Sequence, residues 1–556
     1  MSTITFLNSR VQPSRAFAVI TAWLFGVYSI NAATPASKLP VIGKWERFEV
    51  ALKSQVSYTN AIQEADLDAF FISPDGTTNH VHGFWDGDRN WRVRFAPDVP
   101  GRWNYFTRCS DALNSGLHDQ SGEFICTAAT GKTRFSQHGP VQVARGQRHL
   151  EHASHEPFLW LGDMARDGAR LSEPEHWSYY ARIRSAQNFN AVLWSVAPGA
   201  DEKGESAFSG EDLISVNVDF FRRLDQKVAT LNNAGLLNAI APLWEIGEGT
   251  NLTLTAGQTA KLLRYVVARW GAEDVAWVLA FESDSDGRKI ARWKQAGEAV
   301  FGNIRHAPVI LFPGEATWTF DEFRQEKWVD VFGFNTAQTA DETALPWLLN
   351  GPLALERRKD PARPLITLLP APENGRPNKS VNAVQARRLM WWTMLVNTPA
   401  GVSYATRDIA TWQNTMISVP GESHALPAWQ RALILPGAYD IATFQQCLKG
   451  VEYWRLRPFP SALAEQPGDD APNRFIAAAG TAERDVTVIY SPASTRIEIV
   501  NAALPRSAEA SWLDPRSGKS TPATAVARGD TSQFNTPGEG DWFLLMRSGK
   551  PRIASR

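Results

Sequence analysis

The chain has 556 residues, of which 57 are basic and 58 acidic, so its formal net charge is −1. A chain of this length has room for roughly two to four domains with sizeable cores, and its balanced charge argues against the large basic face that a nucleic-acid partner requires. The 22 Trp residues suit both protein cores and sugar-stacking surfaces, so composition leaves both uses open.

The N-terminal residues have the organisation of a secretory signal. Arg10 and Arg15 precede an apolar run over residues 16–30, and small residues follow it. This order predicts a signal peptide over residues 1–33, removed somewhere around Ala32 to Ala36, and export to the periplasm or the cell exterior. An uncleaved anchor is the alternative, but the run is short for a full span. No later segment is apolar enough to predict a membrane span, so no stable membrane insertion is expected after cleavage.

The three cysteines, Cys109, Cys126 and Cys447, are too few for a disulfide scaffold and lack the spacing of metal ligands. Cys109 and Cys126 end two predicted strands on either side of a loop, so a single bridge and two unpaired buried thiols both stay open. The ten His residues are scattered and include no His-Glu-x-x-His motif. We therefore predict neither a metal ion nor an organic cofactor.

Residues 40–130 alternate apolar and polar side chains between regular turn signals, which predicts an antiparallel β-sandwich. Four segments in this part carry a resemblance: Gly83–Gly87, Trp91–Pro97, Gly101–Thr107 and Asn114–Phe124. They resemble an N-terminal β-sandwich, of undefined role, that precedes sugar-hydrolase-like barrels in many secreted bacterial proteins. Both a scaffold role and a contact with glycan stay open for this domain.

Residues 140–460 alternate short apolar runs with helical patterns such as 216–234 and 383–396. Eight buried strands with helical crossovers are typical of a (β/α)8 barrel. An open doubly wound sheet is the alternative, but we find no glycine-rich phosphate loop to support it. The predicted strands are Phe158–Asp163, Phe189–Ser195, Leu237–Trp244, Val275–Glu282, Pro308–Phe312, Val329–Asn335, Pro364–Leu369 and Ala400–Ala405.

This central segment also resembles the apiosidase-like glycoside hydrolases. The matching features are the opening Pro157–Asp163, the Phe189–Val192 stretch after an arginine-rich helix, the strand Trp277–Glu282, the helix Ala386–Thr393 and the ending Gly401–Trp412. The resemblance implies a barrel that cleaves glycosidic bonds in complex polysaccharides. It also implies one catalytic acid on strand four and another on strand seven.

Residues 470–550 contain further strand-like segments and predict a second β-sandwich. Trp512–Gly518 and Pro537–Trp542 are similar to a β-domain, named for collagen binding, that often follows such barrels. We infer no collagen binding from this similarity. The predicted architecture is therefore an N-terminal β-sandwich, a central (β/α)8 barrel and a C-terminal β-sandwich, and the oligomeric state stays open.

Glu282 is the first predicted catalytic residue because it ends the almost wholly apolar run that begins at Val275. Active sites of (β/α)8 barrels lie at the carboxyl ends of the strands. Glycoside hydrolysis needs two carboxyl groups around the scissile bond, one of which protonates the leaving oxygen. We assign that general-acid role to Glu282. The alternative is a solvated acid that opens a polar loop.

The strand-seven acid is where this sequence departs from the family it resembles. Relatives commonly have Glu-Pro-x-Tyr-Glu at this position, whereas this chain has Leu369-Pro-Ala-Pro-Glu373. Leu369 cannot act as a nucleophile, so Glu373 is the predicted second catalytic residue. A substrate contact and a cap on the following loop stay open for Glu373.

The remaining predicted site residues are substrate contacts at the ends of strands. A tryptophan ring at such a position can stack on a sugar or pack at the barrel rim, and a polar residue can bind a hydroxyl or begin a turn. We predict an exported glycoside hydrolase acting on a poly- or oligosaccharide; a non-catalytic carbohydrate-binding or scaffold protein is the alternative. The predicted substrate-binding residues are Asp163, Trp194, Trp244, Glu245, Asn335 and Trp412.

Overall fold

The computed structural model describes residues 39–210, 212–246, 254–282, 287–314, 318–336, 344–375, 380–418 and 425–549. The predicted signal peptide over residues 1–33 lies outside these ranges. Within them, none of the helices combines the length and the apolar character that a membrane span needs.

The N-terminal domain is sheet-rich, as predicted. Its elements are β1 (Val41–Gly43), β2 (Phe48–Lys53), α1 (Ala61–Glu64), β3 (Leu67–Ile72), β4 (Thr78–Trp85), β5 (Asn90–Phe95), β6 (Gly101–Cys109) and β7 (Ser121–Thr127). The strands follow the spatial order β1-β7-β6-β3-β4-β5-β2, and only the pairing of β1 with β7 is parallel. Buried and half-buried residues alternate along β3, because one face of the sheet covers an aromatic core that includes Phe71 and Phe124.

The register of β6 separates Cys109 from Cys126. Cys126 lies opposite Gly101, at the start of β6, whereas Cys109 is the last residue of that nine-residue strand. At about 3.3 Å per residue the two positions are roughly 26 Å apart, far beyond the separation of roughly 4.4–6.8 Å between Cα atoms that a disulfide allows. Both thiols are free and buried, so the alternative of two unpaired cysteines is the one the structure contains.

The central part is a closed eight-stranded parallel barrel, which confirms the predicted fold class. Helix α2 (Arg134–His138) and a small sheet of β8 (Val141–Val143), β9 (Leu150–His152) and β10 (Pro157–Phe158) precede it. Its strands and short hairpin are β11 (Trp160–Met164), β12 (Ala191–Ala197), β13 (Phe208–Ser209), β14 (Ser215–Val216), β15 (Leu237–Glu245), β16 (Val275–Phe281), β17 (Val309–Pro313), β18 (Val331–Asn335), β19 (Leu365–Leu369) and β20 (Gly401–Tyr404). In spatial order the barrel runs β11-β12-β15-β16-β17-β18-β19-β20.

Helices cover the outside of the barrel. Several begin at a residue whose side chain caps the free backbone N–H groups; Asn217 and Thr255 are examples. The helices are α3 (Gly168–Leu171), α4 (Pro174–Ala186), α5 (Val218–Asn233), α6 (Ala256–Trp270), α7 (Arg288–Phe301), α8 (Phe320–Phe323), α9 (Ala344–Asn350), α10 (Pro352–Glu356), α11 (Ala383–Asn397), α12 (Arg407–Ala410), α13 (Ala428–Ala432) and α14 (Pro436–Cys447).

Side chains of the barrel strands alternate between two cores. Along β16, Val278 and Ala280 belong to an inner cluster inside the barrel, while Trp277 and Phe281 belong to an outer cluster with the helices. Most positions on the other strands follow the same alternation, because successive side chains of a strand point to opposite faces; β15 is irregular between Ile240 and Trp244, and β19 is irregular at Leu368. The position of a residue along its strand therefore decides whether it faces the lumen or the helices.

Buried ion pairs join the N-terminal sheet to the barrel helices. Asp225 of α5 lies 3.2 Å from Arg94 of β5 and 2.8 Å from Arg269 of α6. Arg269 also reaches Asp86, just after β4, at 3.1 Å. Since Arg269 is only 1% exposed, these charges need their partners, and the two domains share one polar contact network.

The C-terminal domain is again sheet-rich. It forms a six-stranded sheet and a three-stranded sheet. The strand order of the first is Arg457–Pro458, Ala477–Gly480, Val486–Ser491, Trp542–Ser548, Ala508–Leu513 and Ser520–Pro522, and that of the second is Arg496–Val500, Thr531–Asn535 and Val526–Arg528. Arg387 of α11 donates to both carboxylate oxygens of Asp541 at 2.7 and 2.9 Å. The elements from the barrel onward are β21 (Met416–Ile417), β22 (Leu426–Pro427), β23 (Arg457–Pro458), β24 (Ala477–Gly480), β25 (Val486–Ser491), β26 (Arg496–Val500), β27 (Ala508–Leu513), β28 (Ser520–Pro522), β29 (Val526–Arg528), β30 (Thr531–Asn535), β31 (Trp542–Ser548) and four short 3-10 turns.

Candidate active site

Glu282 directly follows the fourth barrel strand. It comes two residues after the inner residue Ala280, so its side chain is expected on the lumen side. The inner residues of β16 end with Ala280, and the strand ladder continues beyond it. The Glu282 N–H donates to the Glu245 carbonyl at 3.1 Å on one side. On the other side, the Gly314 N–H donates to the Phe281 carbonyl at 2.7 Å. Alternation therefore directs the Glu282 side chain into the mouth of the barrel.

Gly314, after the fifth strand, provides the space that the Glu282 side chain occupies. A Cβ atom at position 314 would lie 2.3 Å from Cγ of Glu282, which is far inside van der Waals contact. Any larger residue at position 314 would thus displace the carboxylate. The sequence interpretation missed this residue, although Gly314 follows Phe312 at the spacing of two that keeps a side chain on the inner face.

Trp244 lies on the inner side of the third strand, near the mouth. Its indole N–H donates to the Ile246 carbonyl at 3.0 Å, and its ring lies 5.9 Å from that of Phe312. Trp244 is only 3% exposed, so it packs into the floor of the mouth and leaves little ring surface open.

The sixth and seventh strands are joined by an irregular register at the mouth. Phe334 pairs with Thr367 and Asn335 pairs with Leu369, so Leu368 is an extra residue on β19. Leu368 belongs to the inner cluster, and Leu369 packs against it. An apolar side chain therefore lines the wall at the position where the family resemblance implies a catalytic acid, while Asn335 keeps the alternation of an inner residue.

Glu373 faces the outer side of the barrel. Its N–H donates to the Ala405 carbonyl at 3.0 Å, and it forms a parallel bridge with Thr406. Its carboxylate oxygen Oε2 accepts hydrogen bonds from the Tyr404 hydroxyl at 2.6 Å and from the Gly437 N–H at 3.0 Å. Because the Tyr404 ring belongs to the outer cluster, the Glu373 carboxylate lies between the barrel wall and α14.

These contacts make Glu373 a cap for α14. Gly437 is in the first turn of that helix, where free N–H groups and the helix dipole favour a carboxylate. Burial raises the pKa of Glu373, and the hydrogen bonds from Tyr404 and Gly437 offset part of the rise. Among the predicted alternatives for Glu373, the structure thus contains a cap, on α14 rather than on the loop that follows Glu373.

Asp163 also faces away from the lumen. Its carboxylate accepts hydrogen bonds from Nε of Arg184 and from the Tyr180 hydroxyl, both at 2.7 Å. The side chains of Asp163 and Arg184 are fully buried. The ion pair holds α4 against the first strand, which leaves Asp163 without access to a sugar at the mouth.

Glu245 and Trp194 have the same outward orientation on the third and second strands. The Glu245 carboxylate accepts from the Trp293 indole N–H at 2.9 Å and pairs with Arg292, both on α7. Trp194 is fully buried, donates to Asn238 Oδ1 at 3.0 Å and packs against Trp270 at 5.7 Å. Both side chains fill the layer between strands and helices.

Trp412 packs in the outer layer too. Its ring stacks on Trp429 at 4.5 Å with an interplanar angle of 11°, and it is 2% exposed.

The predicted site residues therefore form two groups. The first lies on the lumen side of the barrel near its mouth, and the second lies outside the lumen. The first group is Glu282, Trp244 and Asn335; the second is Glu373, Asp163, Trp194, Glu245 and Trp412.

The central part of the chain, which contains the barrel, matches a family model. Residues 144–455, more than half of the chain, match the apiosidase-like catalytic domain. The chain belongs to the apiosidase-like family. Residues 41–110 match a domain of unknown function, and residues 458–547 match a candidate collagen-binding domain of a collagenase. No curated protein matches the chain.

Two solved structures from Bacteroides vulgatus share the fold of this apiosidase-like protein. One, a candidate glycoside hydrolase, is 16% identical, with 92% of this chain and 100% of that chain covered and a TM-score of 0.67. The other, a family 5 glycoside hydrolase, is 17% identical, with 76% and 95% covered and a TM-score of 0.64. At such identities the likeness establishes a glycoside-hydrolase-like fold, and the chemistry has to be argued from the site.

The ion pair of Asp163 with Arg184 gives the first prediction. Asp163→Asn leaves the buried Arg184 guanidinium without a counter-charge, so we expect the free energy of unfolding to fall by about 3–5 kcal/mol. Urea denaturation measures the change. The matched control replaces both charges, with Asp163→Leu and Arg184→Met, and should recover most of the loss. A single variant that unfolds at the wild-type midpoint would contradict the structural role.

The raised pKa of Glu373 gives a prediction for pH. The folded state holds this proton more tightly than the unfolded chain, so the stability of the wild type should fall as pH rises above the ordinary value of 4.5. Glu373→Gln keeps an acceptor for Tyr404 and Gly437 but cannot ionise. Urea midpoints of the two proteins should therefore diverge from about pH 4.5 upward, with the variant more stable. Parallel curves would contradict the assignment, and Glu298→Gln, on the exposed side of α7, is the control.

Proposed function

We propose that this protein is an exported glycoside hydrolase that cleaves glycosidic bonds in a complex polysaccharide, with Glu282 as the general acid. The observation that carries the proposal is the position of Glu282 after the fourth strand, facing the mouth beside Gly314. Membership of the apiosidase-like family supports the reaction class. Export rests on the N-terminal pattern over residues 1–33.

The proposed step follows the chemistry of glycoside hydrolysis. Protonated Glu282 donates its proton to the glycosidic oxygen as the bond to the anomeric carbon breaks. Water then adds its oxygen to that carbon, and the proton that the water loses returns to the Glu282 carboxylate, which restores the acid. Asn335 is positioned to bind a sugar hydroxyl from the sixth strand, while Trp244 supports the floor below. Glu373 enters this scheme only if its carboxylate leaves Tyr404 and Gly437, so we assign it to α14 rather than to the reaction.

Replacing Glu282 tests the proposal directly. Glu282→Gln removes the transferable proton while keeping the shape of the side chain, so we expect reducing-sugar release from a polysaccharide panel to fall by about 10²- to 10⁴-fold. Glu373→Gln should retain most of the activity. Glu298→Gln, an exposed glutamate on α7, is the matched control.

Two outcomes, one for each glutamate, would contradict these assignments. Loss of activity in Glu373→Gln without a fall in the unfolding midpoint would contradict its assignment as a cap alone and make it the second carboxylate. Full activity in Glu282→Gln would contradict the proposed mechanism. Unfolding curves measured on the same samples separate lost chemistry from lost structure.

A second candidate function is a non-catalytic carbohydrate-binding or scaffold protein on the same barrel. The observation that favours it is the pair of leucines at the end of the seventh strand, where Leu369 packs on the inner cluster. An apolar wall at this position supplies neither nucleophile nor base. Under this candidate the mouth binds a sugar chain without cleaving it.

Restoring a carboxylate at position 369 separates the two candidates. If the barrel only binds, the wild type should retain a polysaccharide in affinity electrophoresis without releasing sugar. Leu369→Glu should then create measurable release, because an acid would line the lumen wall at the position where the family resemblance implies one. Leu369→Gln has the same size without the charge and should stay inactive. Release by the wild type that Glu282→Gln abolishes would contradict the second candidate.

A further inference from the structure

A polar cluster outside the barrel mouth consists of Asp68 on β3 and His80 and His82 on β4. The antiparallel register places Asp68 opposite His82. His80 and His82 are two residues apart, so both rings emerge on the same face of the sheet as Asp68. One oxygen or nitrogen atom from each residue lies within 4.8 Å of the others. No His-Glu-x-x-His motif marks this cluster, because strand pairing assembles it.

The contacts within the cluster converge on one carboxylate oxygen. Nε2 of His80 lies 2.9 Å from Oδ1 of Asp68, and Nδ1 of His82 lies 2.8 Å from the same atom. The His82 ring is 4% exposed and the His80 ring 23% exposed. Both imidazoles are therefore held at this oxygen by the surrounding protein.

The other nitrogen of each ring faces a backbone carbonyl of the barrel. Nδ1 of His80 lies 3.0 Å from the Asn303 carbonyl, just after α7, and Nε2 of His82 lies 3.1 Å from the Val300 carbonyl within α7. A neutral imidazole has a single N–H. With neutral rings, one nitrogen of each histidine therefore faces an oxygen without a hydrogen between them. A cation bound beside the Asp68 oxygen removes this conflict for both rings. The nitrogen of each ring that faces Asp68 then binds the cation through its lone pair, and the other nitrogen donates its N–H to the carbonyl.

We propose that Asp68, His80 and His82 bind a divalent transition-metal ion, with zinc as the ion to test. Two imidazoles and a carboxylate are a donor set that suits zinc and its neighbours in the first transition row. Histidines that bind metals usually donate their second N–H to a carbonyl or carboxylate, and here the Asn303 and Val300 carbonyls occupy those positions.

To admit the ion, the two ring nitrogens move away from the Asp68 oxygen and, from their separation of up to 4.8 Å, toward each other. Zinc ligands at about 2.0–2.1 Å in a tetrahedral arrangement lie about 3.3 Å from one another, so each ring nitrogen moves about half an ångström from Asp68. A ring nitrogen without its proton is the form of histidine that binds a metal.

Arg264 of α6 is the group that opposes the ion. Its Nη2 lies 2.8 Å from Oδ1 of Asp68, and its Nη1 lies 3.5 Å from Nε2 of His82. Arg264 also donates to the Leu67 carbonyl at 3.0 Å and lies 3.4 Å from Asp66. These two partners keep the guanidinium satisfied when the metal takes the Asp68 oxygen. A bound ion would then hold the N-terminal sheet against α7.

Zinc binding to the full chain tests the proposal. The protein is stripped with a chelator, dialysed against micromolar zinc and analysed for metal by atomic emission. We expect about one zinc per chain in the wild type. In Asp68→Asn and in His80→Gln we expect the affinity for zinc to fall by roughly tenfold or more. His155→Gln removes a histidine whose ring is 78% exposed and should bind zinc as the wild type does. His80 is the better histidine to replace, since its ring is partly exposed and the variant keeps the buried His82.

A second readout on the same proteins uses cobalt in place of zinc and the thermal midpoint. The wild type should show the visible absorption of cobalt bound by nitrogen and oxygen, and zinc should raise its midpoint but not that of Asp68→Asn. Zinc bound equally by the wild type, Asp68→Asn and His80→Gln would overturn the proposal as adventitious binding. A wild type without zinc, stabilised over Asp68→Asn only below about pH 6, would also overturn it, because two protonated imidazoles then supply the charge.

Discussion

Side-chain alternation along a closed parallel barrel is the constraint that decides which acids of this protein can take part in chemistry. Glu245 and Glu282 end neighbouring strands and are joined by a backbone hydrogen bond. Their side chains nevertheless face opposite sides, because Glu245 follows the lumen-facing Trp244 by one residue while Glu282 follows Ala280 by two. Position at the carboxyl end of a strand places an acid near the mouth, and only the alternation brings its carboxylate into it.

The acids that face away from the lumen have structural roles. Asp163 pairs with Arg184, Glu245 with Arg292, and Glu373 with the first turn of α14. A charge between strands and helices is costly unless it is paired and hydrogen-bonded, so each of these carboxylates fixes one helix to the barrel. The outer layer is therefore a mostly apolar core that contains a few polar contacts between strands and helices. Acidic residues occur both in this layer and at the mouth of the barrel.

Much of the fold could be predicted from the sequence, because strands buried on both faces are short apolar runs that helical patterns separate. Alternation alone could not decide which of Trp244 and Glu245 faces the lumen, because β15 is irregular between Ile240 and Trp244. The remaining features depend on contacts between distant residues. The extra Leu368 follows from the register of two strands, and the direction of Glu373 depends on Gly437, which is remote in sequence. The cluster of Asp68, His80 and His82 likewise appears only once β3 and β4 are paired.

The link between α11 and the C-terminal sheet changes what the family boundary means. The matched families meet between residues 455 and 458, yet Arg387 before that point is paired with the buried Asp541 after it. Trp391 lies against Phe543 across the same line, at 4.5 Å between ring centroids. A chain cut between the two matched segments would separate Trp391 from Phe543 and leave Arg387 paired with Asp440 but not with Asp541. The boundary between the two matched families is therefore not the boundary of an independently packed unit in this protein.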